Sequence, residues 1–543
     1  MNKLFISLIV SALLVLPPLD GRAEQGGEAL SSDRPNIIFL LADDLRWDSL
    51  GHLNDFGLET PRLDTLAQQG VRFTKSYNTT AICQASRANY MTGLYEFTTG
   101  TNFAHGGMDY TTWEKSYPHQ LKQAGYFTGF AGKFGFHVST PDGKKGSADT
   151  VRGSFDWWAG WMDQGKYEIT DNPDATEWFN KYGDKKEHTT YALGQLGQDF
   201  IRTAVKSGKP FNLSVSFKAP HGPFALDERY TEVYRGRTFG RPENFGVDEG
   251  SPAQARSGRP FVKKGKEWLE DYDKTMYKYH TLVLGLDAAV GMILEELDRQ
   301  GVADNTIIIF AADNGYFNGS KGMGGKLYAY EEASLSPTII YDPRRDRGAF
   351  TSKFETSDAL TGNIDIAPTI LDYAGVAVVQ GTQGKSLTPV LDGSKKAIHD
   401  SLLLMQVWGT ASAQSLGVVT ESFKYIYWFY GGINGYESTE ELFDLRRDPL
   451  ERNTVVGNPD YESELEDMRR HYDNWLKEWA TRGVDRSGYP KYVRLADRHK
   501  PFEENDPTEI ADMFNGDKEK DNKKDNKKKG EKTKKKEDVA AGY

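Results

Sequence analysis

Short apolar runs closed by carboxylates or amides recur along the first two thirds of the chain. "NIIFLLA", Asn36 to Ala42, is continuously apolar, which predicts a strand buried on both faces; it ends at Asp43 and Asp44. "TPRLDTLAQQG", Thr60 to Gly70, has Thr60 as a possible N-cap, Pro61 at the first helical position and Gly70 as terminator, which predicts a helix. "FNLSVSF", Phe211 to Phe217, predicts another strand and leads into "KAPHGPF". A helical stretch from Tyr277 to Arg299 precedes "TIIIFAADNG", whose strand, Thr306 to Ala312, ends at Asp313 and Asn314. After "NIDIAPTILDYAGV", Asn363 to Val376, the pattern changes to shorter strands such as "FKYIYWFY", then "ELFDLRRDP" and a polar helix from Tyr461 to Arg482. The expected fold is α/β, with one large, mostly parallel sheet sandwiched by helices over 34–376 and a smaller α+β subdomain over 377–500.

The two ends are different material. Met1 to Ala23 has basic Lys3, an apolar run from Leu4 to Leu16, and small residues Gly21 and Ala23. That is the layout of a cleavable secretory signal, so the protein is expected to be exported, to the periplasm or beyond; an uncleaved anchor is the alternative. No later stretch reaches the roughly 20 apolar residues of a membrane-spanning helix, so stable membrane insertion is not expected. The segment 501–543 is read as a disordered tail, because its Lys-rich core, Asp517 to Asp538, contains no apolar residue and cannot offset the entropy of ordering. Without that tail the body is still more acidic than the whole chain's net charge of −11. Nucleic acid is therefore not an expected partner, and an anionic substrate needs a locally positive pocket.

In parallel α/β sheets ligands lie beyond the carboxyl edge of the strands, where residues distant in sequence converge. Four predicted strands deliver Asp43 with Asp44, Lys133, His221, and Asp313 with Asn314 to that edge. Three carboxylates and an amide suit a hard divalent cation, Ca²⁺ or Mg²⁺, whereas no Cys/His cluster has zinc-like spacing. Cys83 is the only cysteine in 543 residues. It opens "CQASRANYMTG", a predicted helix start where backbone N–H groups favour anions; Arg87, one turn along, offers a planar donor fork.

"CQASRANYMTG" resembles the signature of the sulfatase family. "NIIFLLADDLRWDSLG", "AGKFGFH", "KAPHGPF", "IIIFAADNG", "GGKLYAYEEASLSPTIIYDPR", "NIDIAPTILDYAGV" and "ELFDLRRDPLERNTVV" resemble family segments in family order, from about Asn36 to Arg482. The resemblance implies an alkaline-phosphatase-like fold and a sulfuric ester hydrolase. It implies that Cys83 is oxidised by a separate maturation enzyme to formylglycine, whose hydrated aldehyde is the nucleophile. By the same resemblance Asp43, Asp44, Asp313, Asn314 and the modified Cys83 are the metal ligands, and Arg87, Lys133, His221 and Lys326 bind sulfate and move protons.

One departure stands out. The common family form places a His two residues after the Lys, but that position here is Gly135 and the nearest His is His137. His137 is read either as the base for sulfate release or as a loop residue. His105, in "FAHGG", is a possible pocket residue. Trp157 and Trp158, with Trp161, fall in an expected loop, where they either stack on sugar rings or pack internally. Arg344, beside Arg345, either contacts a second anionic group or faces solvent. By resemblance the substrate is a sulfated glycan, with an aryl sulfate or small sulfated molecule as alternatives. Two rivals are a phosphonate or phosphate ester hydrolase of the same superfamily and a glycan-binding protein whose Cys83 is never modified.

Overall fold

Strand β1, Asn36–Asp43, alternates its side chains between two cores: Ile38, Leu40 and Ala42 join one apolar cluster, Ile37, Phe39 and Leu41 another. This is what a continuous apolar run does when a strand is covered on both faces. The computed structural model describes residues 34–500 except 55, 173–186, 249, 346–353, 410 and 430–436. The expected signal at 1–23 and the tail at 501–543 lie outside the described residues.

The other strands of the large sheet are β2, Val71–Phe73, β4, Phe127–Lys133, β5, Trp157–Trp161, β6, Phe211–Pro220, β7, Thr306–Ala312, β8, Ile339–Tyr341, and β9, Glu355–Ser357; a short parallel pair is formed by β3, Ser76–Tyr77, and β10, Thr361–Gly362. The eight-stranded order is β5-β4-β6-β1-β7-β8-β2-β9. The run from β5 to β7 is parallel, and β8 is antiparallel to both neighbours. The main helices of this body are α1, Pro61–Gln69, α2, Cys83–Thr92, α3, Thr189–Ser207, α4, Tyr272–Arg299, and α5, Ile366–Tyr373. Leu63 and Leu66 of α1, Phe200 of α3 and Leu282 and Leu286 of α4 cover one face; Tyr90 and Met91 of α2 and Ile366 and Ile370 of α5 cover the other. The first turn of α1 is capped from a distance, because Asp287 of α4 accepts from the Arg62 and Leu63 N–H groups at 3.0 and 2.8 Å. A carboxylate there satisfies free donors and the helix dipole together.

After residue 376 the chain leaves the large sheet and builds an antiparallel one, β11, Leu402–Gln406, β12, Ser415–Val419, β13, Phe423–Trp428, and β14, Thr439–Asp444, packed under α6, Glu462–Arg482. Its core is continuous with the start of α2: Leu404, Trp428 and Tyr472 share one apolar cluster with Ile82, Cys83, Phe317 and Tyr328.

The expected loop around Trp157 and Trp158 is an edge strand, β5. Its register on β4 sets Trp158 beside Phe130, with ring centroids 5.1 Å apart, and Trp157 lies 5.5 Å from Phe200. Both indoles therefore lean on the core, and local composition could not reveal the strand because its pairing partner lies on β4.

Candidate active site

The carboxyl ends of β4, β6, β1 and β7 are adjacent, so Lys133, His221, Asp43 and Asp313 meet at one edge, as the strand pattern predicts. Asp43 ends β1 opposite Pro220, and Asp313 follows Ala312, the partner of Ala42. Asp44 turns immediately into left-handed backbone, φ 65°, which swings its carboxylate back toward β7. There Asn314 Nδ2 donates to Asp44 Oδ1 at 2.7 Å and the Asp44 N–H to Asp313 Oδ1 at 3.3 Å. Tyr279 OH, from α4, donates to the Asp44 carbonyl at 2.8 Å and holds this turn.

Cys83 is the first residue of α2 and is 2% exposed. Its N-cap, Ile82, has no side-chain acceptor, so the free N–H groups of the first turn remain available at this end. Arg87, one turn on, is buried against both acids, with Nε 2.7 Å from Asp313 Oδ2 and Nη2 3.3 Å from Asp43 Oδ2. It also donates to the Lys133 carbonyl at 2.7 Å and to Ser216 Oγ, which locks it between β4 and β6. Lys133 pairs with Asp43, and Lys326 with Asp44 and, at 3.7 Å, Asp43.

Burial alone would raise the Asp43 carboxyl, but Lys133, His221, Lys326 and Arg87 together hold it well below the ordinary carboxylate range. Asp313 goes the other way: burial, reinforced by the Asp43 charge, pushes it up to about 6. Burial works against the Lys326 ammonium, yet Asp44, Cys83, Asp43 and Asp313 raise it well above its usual value. His221 has Nε2 3.7 Å from Asp44 Oδ2, and burial pushes its imidazole down to about 3 against the attraction of Asp44 and Asp43. Its Nδ1 lies against the Gly222 carbonyl. A carbonyl can only accept, so Nδ1 carries the proton and Nε2 is the free position facing the acids.

The donor set fits a hard cation. Asp43 Oδ1 and Asn314 Oδ1 are buried without a hydrogen-bond donor, an arrangement that native proteins rarely leave uncompensated. One ligand atom each from Asp43, Cys83 and Asp313 lies within 4.8 Å of the others, and the same holds for Asp43, Asp44 and His221.

Two residues that the sequence reading did not single out complete the constellation. Gln164 accepts from Lys133 Nζ at 2.7 Å through Oε1, and its Nε2 stands 3.8 Å from Cys83 Sγ. Lys218 Nζ donates to the Gln164 carbonyl at 3.3 Å; burial, with help from Lys133, pushes it down to about 8. Lys218 opens "KAPH" at the end of a predicted strand, so the strand-end argument could have found it. Gln164 could not be found that way, because the sequence around Trp157 to Trp161 predicts a loop and not the strand β5 that precedes it.

The remaining expected positions fall in several places. Gly135 has φ 85°, and a Cβ there would stand 2.7 Å from Arg87 Cδ, so this position faces the site but carries no imidazole. His137 lies further along, with Nε2 3.8 Å from Asp163 Oδ1; burial and Lys145 lower its pKa. His105 is not an open pocket residue, since its two ring nitrogens each stand 2.9 Å from a backbone carbonyl, of Val407 and Ser487. Arg344 is at the wrong edge: β8 runs antiparallel, pairing Tyr341 with Ile308, so the chain leaves opposite the Asp313 end and Arg344 clamps Asp342 at 2.9 and 3.0 Å. Trp157 and Trp158 are strand residues packed as described above.

The sulfatase family model matches residues 35–376, and the model for the C-terminal part of N-sulphoglucosamine sulphohydrolase matches 319–478. The chain is 27% identical to an N-acetylglucosamine-6-O-sulfatase of Bacteroides thetaiotaomicron, over 83% of this chain and 88% of the relative. It is 28% identical to human N-acetylglucosamine-6-sulfatase, over 74% of this chain and 72% of the relative. A solved structure described as a complex with its substrate D-glucosamine-2-N,6-O-disulfate superposes with TM-score 0.69 at 25% identity, covering 84% of this chain and 99% of that one. A phosphonate monoester hydrolase of Agrobacterium radiobacter, 20% identical with TM-score 0.64, covers 83% of this chain and 96% of its own, and shares the fold. Because the family match spans more than half of the sequence and the acids, Cys83 and Arg87 meet at one sheet edge, the chain belongs to the sulfatase family and is a sulfuric ester hydrolase.

Proposed function

We propose that this sulfatase removes sulfate from a sulfated carbohydrate, with Cys83 matured to formylglycine and Asp43, Asp44, Asp313, Asn314 and the matured Cys83 holding a divalent cation, Ca²⁺ before Mg²⁺. The observation that carries the site assignment is the placing of Cys83 at a helix start against three buried acids and the cations Arg87, Lys133 and Lys326. A sulfate ester is anionic, so a nucleophile approaches against charge. Arg87, Lys133 and Lys326 offset that charge and stabilise what develops on the leaving oxygen. A cation bound by these ligands would add Lewis-acid polarisation of the sulfate. The formylglycine hydrate supplies one hydroxyl for attack and a second through which sulfate is expelled, which cysteine cannot do.

His221 is assigned to proton transfer at the leaving oxygen: Nε2, which faces Asp44 and carries no proton in the free enzyme, takes one up beside the bound anionic sulfate, which favours the imidazolium, and passes it to the departing alcohol oxygen. His137 is assigned to sulfate release, with a loop role beside Asp163 as the other reading. The carbohydrate reading rests on the relatives, which are named for glucosamine sulfates. The domain reading keeps 34–376 as the catalytic part and 377–500 as a subdomain. Export by residues 1–23 and a formylglycine-generating enzyme as partner complete the proposal. No helix among the described residues is long and apolar enough to cross a membrane.

The deciding experiment is a mass spectrum of the Cys83 peptide across preparations of differing activity. Conversion of CH₂SH to CHO, in proportion to specific activity, is expected; full activity with an unmodified thiol overturns the mechanism. Turnover of N-acetylglucosamine 6-sulfate is compared with that of p-nitrophenyl sulfate and p-nitrophenyl phosphate, and preference for the phosphate ester overturns the substrate assignment.

A further inference from the structure

Aromatic side chains are the usual platform for a sugar ring, but Trp157 and Trp158 are committed to the core. A different aromatic group stands at the surface. Phe103 is 42% exposed, a large apolar side chain left in water. Its ring lies 5.7 Å from that of half-buried Trp408, and the guanidinium of exposed Arg259 sits 5.9 Å from the Trp408 ring. Arg259 has no carboxylate partner among the described residues. These three side chains come from separate chain segments, so the cluster is a product of the fold and not of a local sequence run.

Its place relative to the active site follows from the segment that carries Trp408. At one end the Met405 N–H donates to the Thr79 carbonyl at 2.7 Å, four residues before Cys83. At the other, Gly409 adopts φ 89°, and its Cβ position is 3.7 Å from Leu327 Cδ1, next to Lys326. Residues 405–409 thus bridge the two chain segments that bring Cys83 and Lys326 to the site. The turn that carries Phe103 is fastened to the same segment by the His105 ring against the Val407 carbonyl, at 2.9 Å. The aromatic pair is therefore held in place before any ligand arrives, which lowers the entropy lost on binding.

We propose that Trp408, Phe103 and Arg259 form a subsite for an anionic sugar adjoining the sulfated residue that is hydrolysed. The proposal rests on the carbohydrate reading above. The aromatic faces receive the apolar C–H face of the ring, and the exposed guanidinium receives its sulfate or carboxylate by charge-assisted, bidentate hydrogen bonds. An uncharged neighbour uses the aromatic surface alone.

The test uses the matured full-length enzyme and two substrates, N-acetylglucosamine 6-sulfate and a tetrasaccharide that carries the same residue at its end with an anionic neighbour. Wild type is expected to favour the tetrasaccharide in kcat/KM. Trp408→Ala and Arg259→Ala should each lower the tetrasaccharide-to-monosaccharide ratio about five- to tenfold, mainly through KM. Trp408→Phe should retain most of the ratio. The Arg259→Ala effect should vanish when the neighbour's anionic groups are removed. Arg259 is exposed, so its variant decides the matter even if Trp408→Ala does not fold. An unchanged ratio in Arg259→Ala overturns the subsite while leaving the carbohydrate reading intact. Wild-type turnover of p-nitrophenyl sulfate with neither sugar cleaved overturns the carbohydrate reading, and the subsite with it.

Discussion

Removing the Arg87 side chain should destabilise the protein because of what it leaves behind. Arg87 is 1% exposed and lies within 2.7 Å of Asp313 and 3.3 Å of Asp43, both themselves buried. In Arg87→Ala the two carboxylates lose the cation between them, and water cannot replace it without opening the β4–β6 edge. Deleting one partner of a buried pair costs about 3–5 kcal/mol. Unfolding entropy is about 2.1 cal/mol/K per residue, so a body of this size melts with roughly 1 kcal/mol/K, and the melting temperature should fall by about 3–5 °C. The informative assay is calorimetry of the chelator-treated protein as a double-mutant cycle with Asp313→Asn. Asp313→Asn should destabilise wild type, since it leaves Arg87 underpaired, yet stabilise the Arg87→Ala background, since it removes one of the repelling acids. Restoring a divalent cation should shrink the Arg87→Ala deficit, because positive charge returns to the same acids. Melting of Arg87→Ala within 1 °C of wild type, or simple additivity of the two substitutions, would refute the reasoning.

Further outcomes follow from neighbouring observations. His221→Ala should slow ester cleavage by about 10²- to 10⁴-fold, the range for a general acid or base, with substrate KM little changed; a loss under threefold in single-turnover cleavage removes the assignment. His137→Ala should show a burst of one product equivalent followed by a slow phase, and wild-type steady-state rates in this variant would make it a loop residue. Gln164→Ala frees Lys133 Nζ of a 2.7 Å hydrogen bond and should lower kcat about three- to tenfold, the low end for a bond to a charged group because Lys133 keeps its pairing with Asp43; an unchanged kcat refutes a positioning role. Glu441 tests the fold's pH dependence: burial raises its carboxyl to about 7, against the bonds from Trp428 and Tyr330. The folded state therefore holds a proton that the unfolded state releases above its ordinary value. The stabilisation is full below that value and is lost as pH rises toward 7, by about 3 kcal/mol. Glu441→Gln should flatten the melting temperature between pH 5 and 8, and a retained wild-type slope would exclude Glu441 as its source.

The apolar runs of β1, β6 and β7 and the opening of α2 at Cys83 were legible from the chain alone, because burial on both faces and a helix start leave local marks in composition and spacing. The convergence of Asp43, His221 and Asp313 was legible too, since parallel strands send their carboxyl ends to one edge whatever their order. Arg344 shows the limit of that argument: the direction of β8 is set by its pairing with β7 and β2, and one reversal carries the residue to the far edge. Gln164 reaches Cys83 only because an unrecognised edge strand pairs with β4. His105 meets Val407 and Ser487 across 302 and 382 residues, and Trp408 meets Phe103 through that same docking. Periodicity reports which face of an element is buried, so the sequence determined the elements and the acids at their ends. Which side chains from different elements touch depends on strand order, direction and register, and those were decided only when the sheets and helices packed against one another.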